Sequence, residues 1–289
     1  MKKIFLFILV LMIPAFALSL PPMKYVRRHG IINVDILYRL QQEAKSGNAS
    51  SAANLGMKYV GGTIGILPNY QEGLYWLHKA ADRGVPLAYY VLAKFYLGGR
   101  PGLPANKRLA MRYAKLAFNG FRKNLAAKKY DRVVVSIIRY NLGDLYFWGF
   151  PGVVKQDLAK AFELTRLAAN GGDEHAMRRL AMMYRYGVGT KRDLVRAHNW
   201  SLFLAELGLV EAQYTVGLDF LSGIGTAADR DQGMKWLSNA AGTDYYPAMV
   251  KLVDLSKQGK IASISDTRRL GWQAVVGNMI GRTPMAVAK

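Results

Sequence analysis

Small and apolar positions recur along this chain in a phrase repeated about every 36 residues. In four of its five copies a small residue is followed four positions later by an aliphatic-Gly or aliphatic-Ala pair, and four after that by an aromatic. The copies are Ser51…Leu55-Gly56…Tyr59, Ala88…Leu92-Ala93…Tyr96, Ile138…Leu142-Gly143…Tyr146, Ala176…Leu180-Ala181…Tyr184 and Ala212…Val216-Gly217…Phe220. From Tyr59 to Phe220 the aromatic steps are 37, 50, 38 and 36 residues. Apolar residues at i, i+4 and i+8 mark one face of a helix, so this phrase predicts a first helix in each unit.

A second phrase follows each first one: Asn69-Gly73-Trp76, Asn106-Ala110-Tyr113, Asp157-Ala161-Leu164, Asp193-Ala197-Trp200 and Asp229-Gly233-Trp236. Its leading Asn or Asp predicts an N-cap, because that side chain accepts from an orphan helical N–H. Closing glycines at Gly84, Gly120, Gly171 and Gly208 predict left-handed stops. Gly-rich loops such as Tyr186–Thr190 and Ser222–Thr226 lie between the two helices. Each unit therefore reads as a helical hairpin that cannot bury its apolar face alone. Fixed-period units of this length stack, which predicts an all-α, right-handed α-solenoid of helical hairpins. Half units flank the array: Ile36–Gly47, Ala248–Gly259 and Asp266–Ile280, the last capped by Asp266. The solenoid then spans 36–281, with irregular ends at 18–35 and 282–289.

The first residues read as an export signal over 1–17. Lys2 and Lys3 precede the apolar run Ile4–Ile13, then Pro14 and the cleavage pattern Ala15-Phe16-Ala17. The mature chain would begin at Leu18, or at Leu20 if cleavage follows Ser19, and would be periplasmic or secreted with no stable membrane span. The competing reading is an uncleaved anchor, since Ile4–Leu20 is just long enough to span. No cysteine occurs, which removes disulfides and Cys-ligated metals.

Composition adds a strong charge signal. There are 40 Lys and Arg against 19 Asp and Glu, a net charge of +21. Much of it concentrates where the repeat is broken. The 50-residue step places an insertion at about 121–139, read either as two overlong helices pairing beyond the stack or as a short extra helix over the joint. Tyr130, Val133, Val134, Ile137, Ile138, Leu142 and Leu145 keep helical spacing there, and Asp131 could cap them. Between 100 and 139 the cations are Arg100, Lys107, Arg108, Arg112, Lys115, Arg122, Lys123, Lys128, Lys129, Arg132 and Arg139, with Asp131 the sole acid. These eleven form a candidate binding patch for phosphate or carboxylate arrays; the alternative is a set of solvated helix faces.

With both phrases in view, the chain resembles the Sel1-like repeat family, relatives of the tetratricopeptide repeats. The match is closest in Ala176–Gly208, and Trp76-Leu-His-Lys79-Ala80-Ala81 with Gly84 carries it in the first repeat. The resemblance implies an adaptor with a protein partner, exported in many bacterial members. It leaves two further readings: a binder of anionic envelope polymer (peptidoglycan, teichoic acid or lipopolysaccharide) and a cell-wall or β-lactam hydrolase. A nucleic-acid partner fits the charge but not the export signal. The residues themselves offer no catalysis. No G-x-S-x-G elbow, phosphate loop or paired-His zinc motif occurs among the four histidines, so no catalytic, cofactor or metal residue is expected. The tryptophans, Trp148 and Trp272 included, read as core.

Overall fold

The structure, a computed structural model, describes residues 31–62, 68–99 and 103–258. Twelve α-helices occupy the described residues: α1 Ile31–Lys45, α2 Ala49–Gly61, α3 Tyr70–Asp82, α4 Pro86–Gly98, α5 Lys107–Ala126, α6 Arg132–Trp148, α7 Leu158–Asn170, α8 Glu174–Tyr186, α9 Leu194–Glu206, α10 Val210–Ser222, α11 Arg230–Ala241 and α12 Tyr246–Lys257. Helices α2 to α11 form the five hairpins that the doubled phrase predicts, and α1 and α12 are half units. Helix α1 begins five residues before the expected start, inside the segment read as irregular. The export signal, Arg100, Trp272 and the expected helix Asp266–Ile280 lie outside the described residues.

The chain divides into two compact units. One holds α1–α5 and also takes in 150–155; the other holds 127–149 and everything from Gln156 onward. In the first, each helix packs on the next in sequence, and α2 also meets α4. The second repeats this serial packing from α6 to α12.

Two local devices build every hairpin. The cap residue of the second helix accepts from the N–H three residues on, at 2.9–3.1 Å for Asn69, Asn106, Asp157, Asp193 and Asp229. The same five residues donate their own N–H to the carbonyl of the phrase's aromatic, Tyr59, Tyr96, Tyr146, Tyr184 and Phe220, at 2.7–2.9 Å. One residue thus starts the second helix and ties it to the end of the first, which is why the two phrases keep a near-constant offset.

Glycine matters where helices cross. A Cβ on Gly56 would meet Leu77 and the Gly73 carbonyl at 2.7 and 2.9 Å, and one on Gly73 would run into Val60. Paired small residues let α2 and α3 approach. Between repeats, Gly225 holds φ +73° in its loop, and a Cβ there would overlap the Leu194 carbonyl at the start of α9.

Three expectations need correction. Gly120 does not stop α5: that helix runs through it, against Pro86, so the insertion contains two long helices of 20 and 17 residues and no short extra one. Asp131 caps α6 as expected, accepting from Val134 N–H at 2.9 Å. The left-handed stop after α7 is Gly172, φ +101°, while Gly171 stays helical; after α11 it is Asp244, φ +63°. Trp148 is 60% exposed, and Val133 and Ile137 also face outward, while Ile138, Leu142 and Leu145 are buried. The apolar face of α6 is narrower than its spacing suggests.

Candidate binding groove and cationic helix face

The second unit carries an open groove of about 960 Å³. Its floor is α8, through Met177, Leu180 and Tyr184; its walls are Arg166 and Asn170 from α7 and Arg196, Asn199, Trp200 and Phe203 from α9, with Arg132 at one end. Leu180 is fully buried and fixes the floor, whereas Phe203 is 44% exposed. The arginines are oriented by neighbours. Both Nε and Nη2 of Arg166 donate to Glu163, at 2.9 and 2.7 Å. Arg196 lies 3.3 Å from the Asp193 carboxylate and 5.6 Å from the Tyr184 ring centroid. Arg132 donates to the Asn170 carbonyl. The groove therefore combines aromatic faces, amide donors and acceptors, and guanidinium groups, a mixture suited to polypeptide.

Elsewhere in the second unit, successive repeats are joined by ion pairs whose carboxylates are buried. Arg185 of α8 makes a two-pronged bond to Asp219 of α10, at 2.8 and 2.7 Å, and His198 Nδ1 lies 3.2 Å from the same carboxylate. Burial alone would raise the Asp219 pKa, but the bonds from His198 and Arg185 hold it below the usual carboxylate value. Arg179 of α8 likewise pairs with Asp144 of α6. There burial dominates over Arg179, and the Asp144 carboxyl is pushed up.

The candidate cations fall in two groups. Lys107, Arg108, Arg112, Lys115, Arg122 and Lys123 are all exposed on α5, in the first unit. Lys128, Lys129, Arg132 and Arg139 belong to the second unit, where Arg132 joins the groove and Arg139 is half-buried. Lys129 lies over the Tyr130 ring at 5.2 Å. The rest of the groove was missed by a reading that searched for charge runs. Its available signal is Phe203, a second aromatic three residues after the repeat's own Trp200, at a position where the other second helices carry Lys79, Leu116, Leu167 and Asn239.

Among the described residues no cluster of His, Cys, Asp and Glu could hold a metal ion, and no helix is long and apolar enough to cross a membrane. An all-α stack of capped hairpins with an open groove is a helical-repeat scaffold. The chain belongs to the Sel1 repeat family, which matches residues 49–85, 86–120, 139–173, 174–209 and 210–241. The gap between the second and third matches coincides with the insertion read from the broken period. A Sel1 repeat protein from Oxalobacter formigenes shares the fold, with a TM-score of 0.56 at 20% identity over 88% of this chain and 99% of that one. Among curated relatives, a chitin synthase regulator of Saccharomyces cerevisiae is 26% identical over 81% of this chain and 38% of its own length. Chitin synthase regulatory factor 3 of Schizosaccharomyces pombe is 29% identical over 54% of this chain and 17% of its own. An uncharacterized protein of Neisseria meningitidis serogroup B is 28% identical over 75% and 41%. The chain thus spans less than half the length of these relatives.

Proposed function

We propose that this protein is an exported, non-catalytic adaptor that holds a protein partner in the groove of its second unit. The observation that carries the reading is the set of Tyr184, Trp200 and Phe203 around a fully buried Leu180, with Asn199, Arg166 and Arg196 at the rim. Aromatic and Arg anchors over a packed floor are what concentrate binding energy at protein interfaces. The names of two relatives, both chitin synthase regulators, accord with a role exerted through another protein. Export rests on the apolar run Ile4–Ile13 and the Ala15-Phe16-Ala17 pattern.

The test is site-specific photocrosslinking in cell-envelope preparations. A crosslinker at Phe203 or Asn199 should trap one discrete protein, and Trp200→Ala should abolish the adduct. A crosslinker at the exposed loop residue Lys191 should trap nothing. Equal trapping from all three positions, or an adduct that survives Trp200→Ala, would remove the groove from consideration.

A further inference from the structure

We infer that the outer face of α5, in the first unit, is a contact surface for an anionic phospholipid bilayer. Helix α5 runs Lys107–Ala126 with six cations and no Asp or Glu. At about 100° per residue, Arg108, Arg112, Lys115, Arg122 and Lys123 fall within an arc of roughly 100°. The buried residues Ala110, Ala114, Ala117 and Phe121 lie on the opposite side. The buried side seats the helix against its neighbours, and the exposed cationic side of the helical cylinder forms a convex ridge about 22 Å long at 1.5 Å per residue.

The shape selects among anionic partners. A flexible polymer gains most from a cleft that touches it on two sides. A ridge whose cations share one side can meet a plane with all of them at once, and each Lys or Arg at an anionic leaflet adds attraction. Three of the five are arginines, whose guanidinium fork matches phosphate oxygens. The ridge also has apolar shoulders: Leu116, 39% exposed, and Phe118 lie about 80° to either side of Arg108. Arg122 already lies over the Phe118 ring, 5.5 Å from its centroid. Long cationic stems can rest on such shoulders while their heads reach headgroup phosphates. Few residues insert, so the contact is peripheral and salt-sensitive.

The experiment is co-sedimentation of the chain from Leu18 onward, which keeps every described residue, with phosphatidylcholine vesicles made with and without phosphatidylglycerol. The wild type should partition only onto the phosphatidylglycerol vesicles, and salt should release it. Reversing the ridge (Arg108→Glu, Arg112→Glu, Lys115→Glu, Arg122→Glu, Lys123→Glu) should weaken partitioning by about 100-fold or more. Reversing five exposed cations elsewhere (Lys155→Glu, Lys191→Glu, Arg192→Glu, Arg230→Glu, Lys235→Glu) changes the net charge equally and should cost far less. A five-Gln ridge variant with wild-type melting should also lose partitioning, less steeply than the reversal, and separates binding from folding. Equal losses in the two reversals would overturn the proposal in favour of unspecific net charge. Absent vesicle binding with ridge-dependent sedimentation on cell-wall sacculi would overturn it in favour of a polymer. Neither result bears on the groove, whose crosslinking test is independent.

Discussion

The two units join successive repeats by different chemistry at equivalent positions. In the first, His78, Tyr89, Tyr96 and Tyr113 lean on one another: Tyr96 and Tyr113 stack at 5.7 Å, Tyr89 and Tyr113 at 6.1 Å, and His78 meets both Tyr96 and Tyr113 edge-on. Two repeats later, the same places hold Arg166, Met177, Tyr184 and Trp200, and these line the open groove. The ion pairs show the reverse substitution. Arg185, His198 and Asp219 join the fourth and fifth repeats; three repeats earlier, at the first junction, the same places hold Val60, Leu74 and Phe95, all apolar. A repeat junction can therefore be closed by rings or clamped by charge. At the groove's own junction, between the third and fourth repeats, the charged pair is Arg179 and Asp144, whose counterparts in the first unit are Val91 and Met57.

The largest expected effect tests the shared register. Leu180→Asp should cost about 4 kcal/mol or more, because it buries an unpaired charge, while Lys191→Asp stays within about 0.5 kcal/mol. Similar melting temperatures for the two would break the register on which the comparison rests.

Next comes the clamp. Asp219→Asn should cost about 3 kcal/mol at neutral pH, since it strands the Arg185 charge. The triple change Arg185→Val, His198→Leu, Asp219→Phe imports the first unit's residues and should cost less than that single change, because apolar packing can replace a buried pair. Denaturant melts decide the order. The pH dependence has a definite sign. The folded pKa of Asp219 lies below its ordinary 3.8, so its contribution is complete above that value and is lost as pH falls through the folded pKa. The gap between wild type and Asp219→Asn should shrink accordingly in acid.

A smaller effect concerns loop packing. Gly225→Val combines a positive φ with a clash at the Leu194 carbonyl and should cost about 2 kcal/mol, read by thermal melting. An unchanged melting temperature would mean that the loop does not bear on α9.

The smallest effect sharpens the contrast between rings and charges. Burial lowers the pKa of His78 from 6.5, with Asp82 partly opposing. The folded state thus favours the neutral ring. Its stability is full above pH 6.5 and declines as pH falls toward the folded pKa, because the unfolded chain takes the proton first. Melting temperatures between about pH 7.5 and 5.5 should slope downward toward acid, and His78→Gln should flatten the slope. An identical slope in the variant would take His78 out of the account.

What the sequence determined by itself is local and periodic. The hairpins, the five second-helix caps and the insertion at the broken period were all legible, because each depends on residues a few positions apart or on a spacing that repeats. At Gly120 two local signals compete, a glycine that can stop a helix and a helical spacing that continues through Phe121, and the buried stripe decides for the overlong helix. Tertiary structure decided the rest. Whether Trp148 is core or exposed, and whether a junction holds stacked rings or an open groove, depend on side chains that meet from helices some 36 residues apart. Identical phrases place those side chains at the same points, but their sizes and charges, which the period leaves free, determine whether the space between repeats is filled or left for a partner.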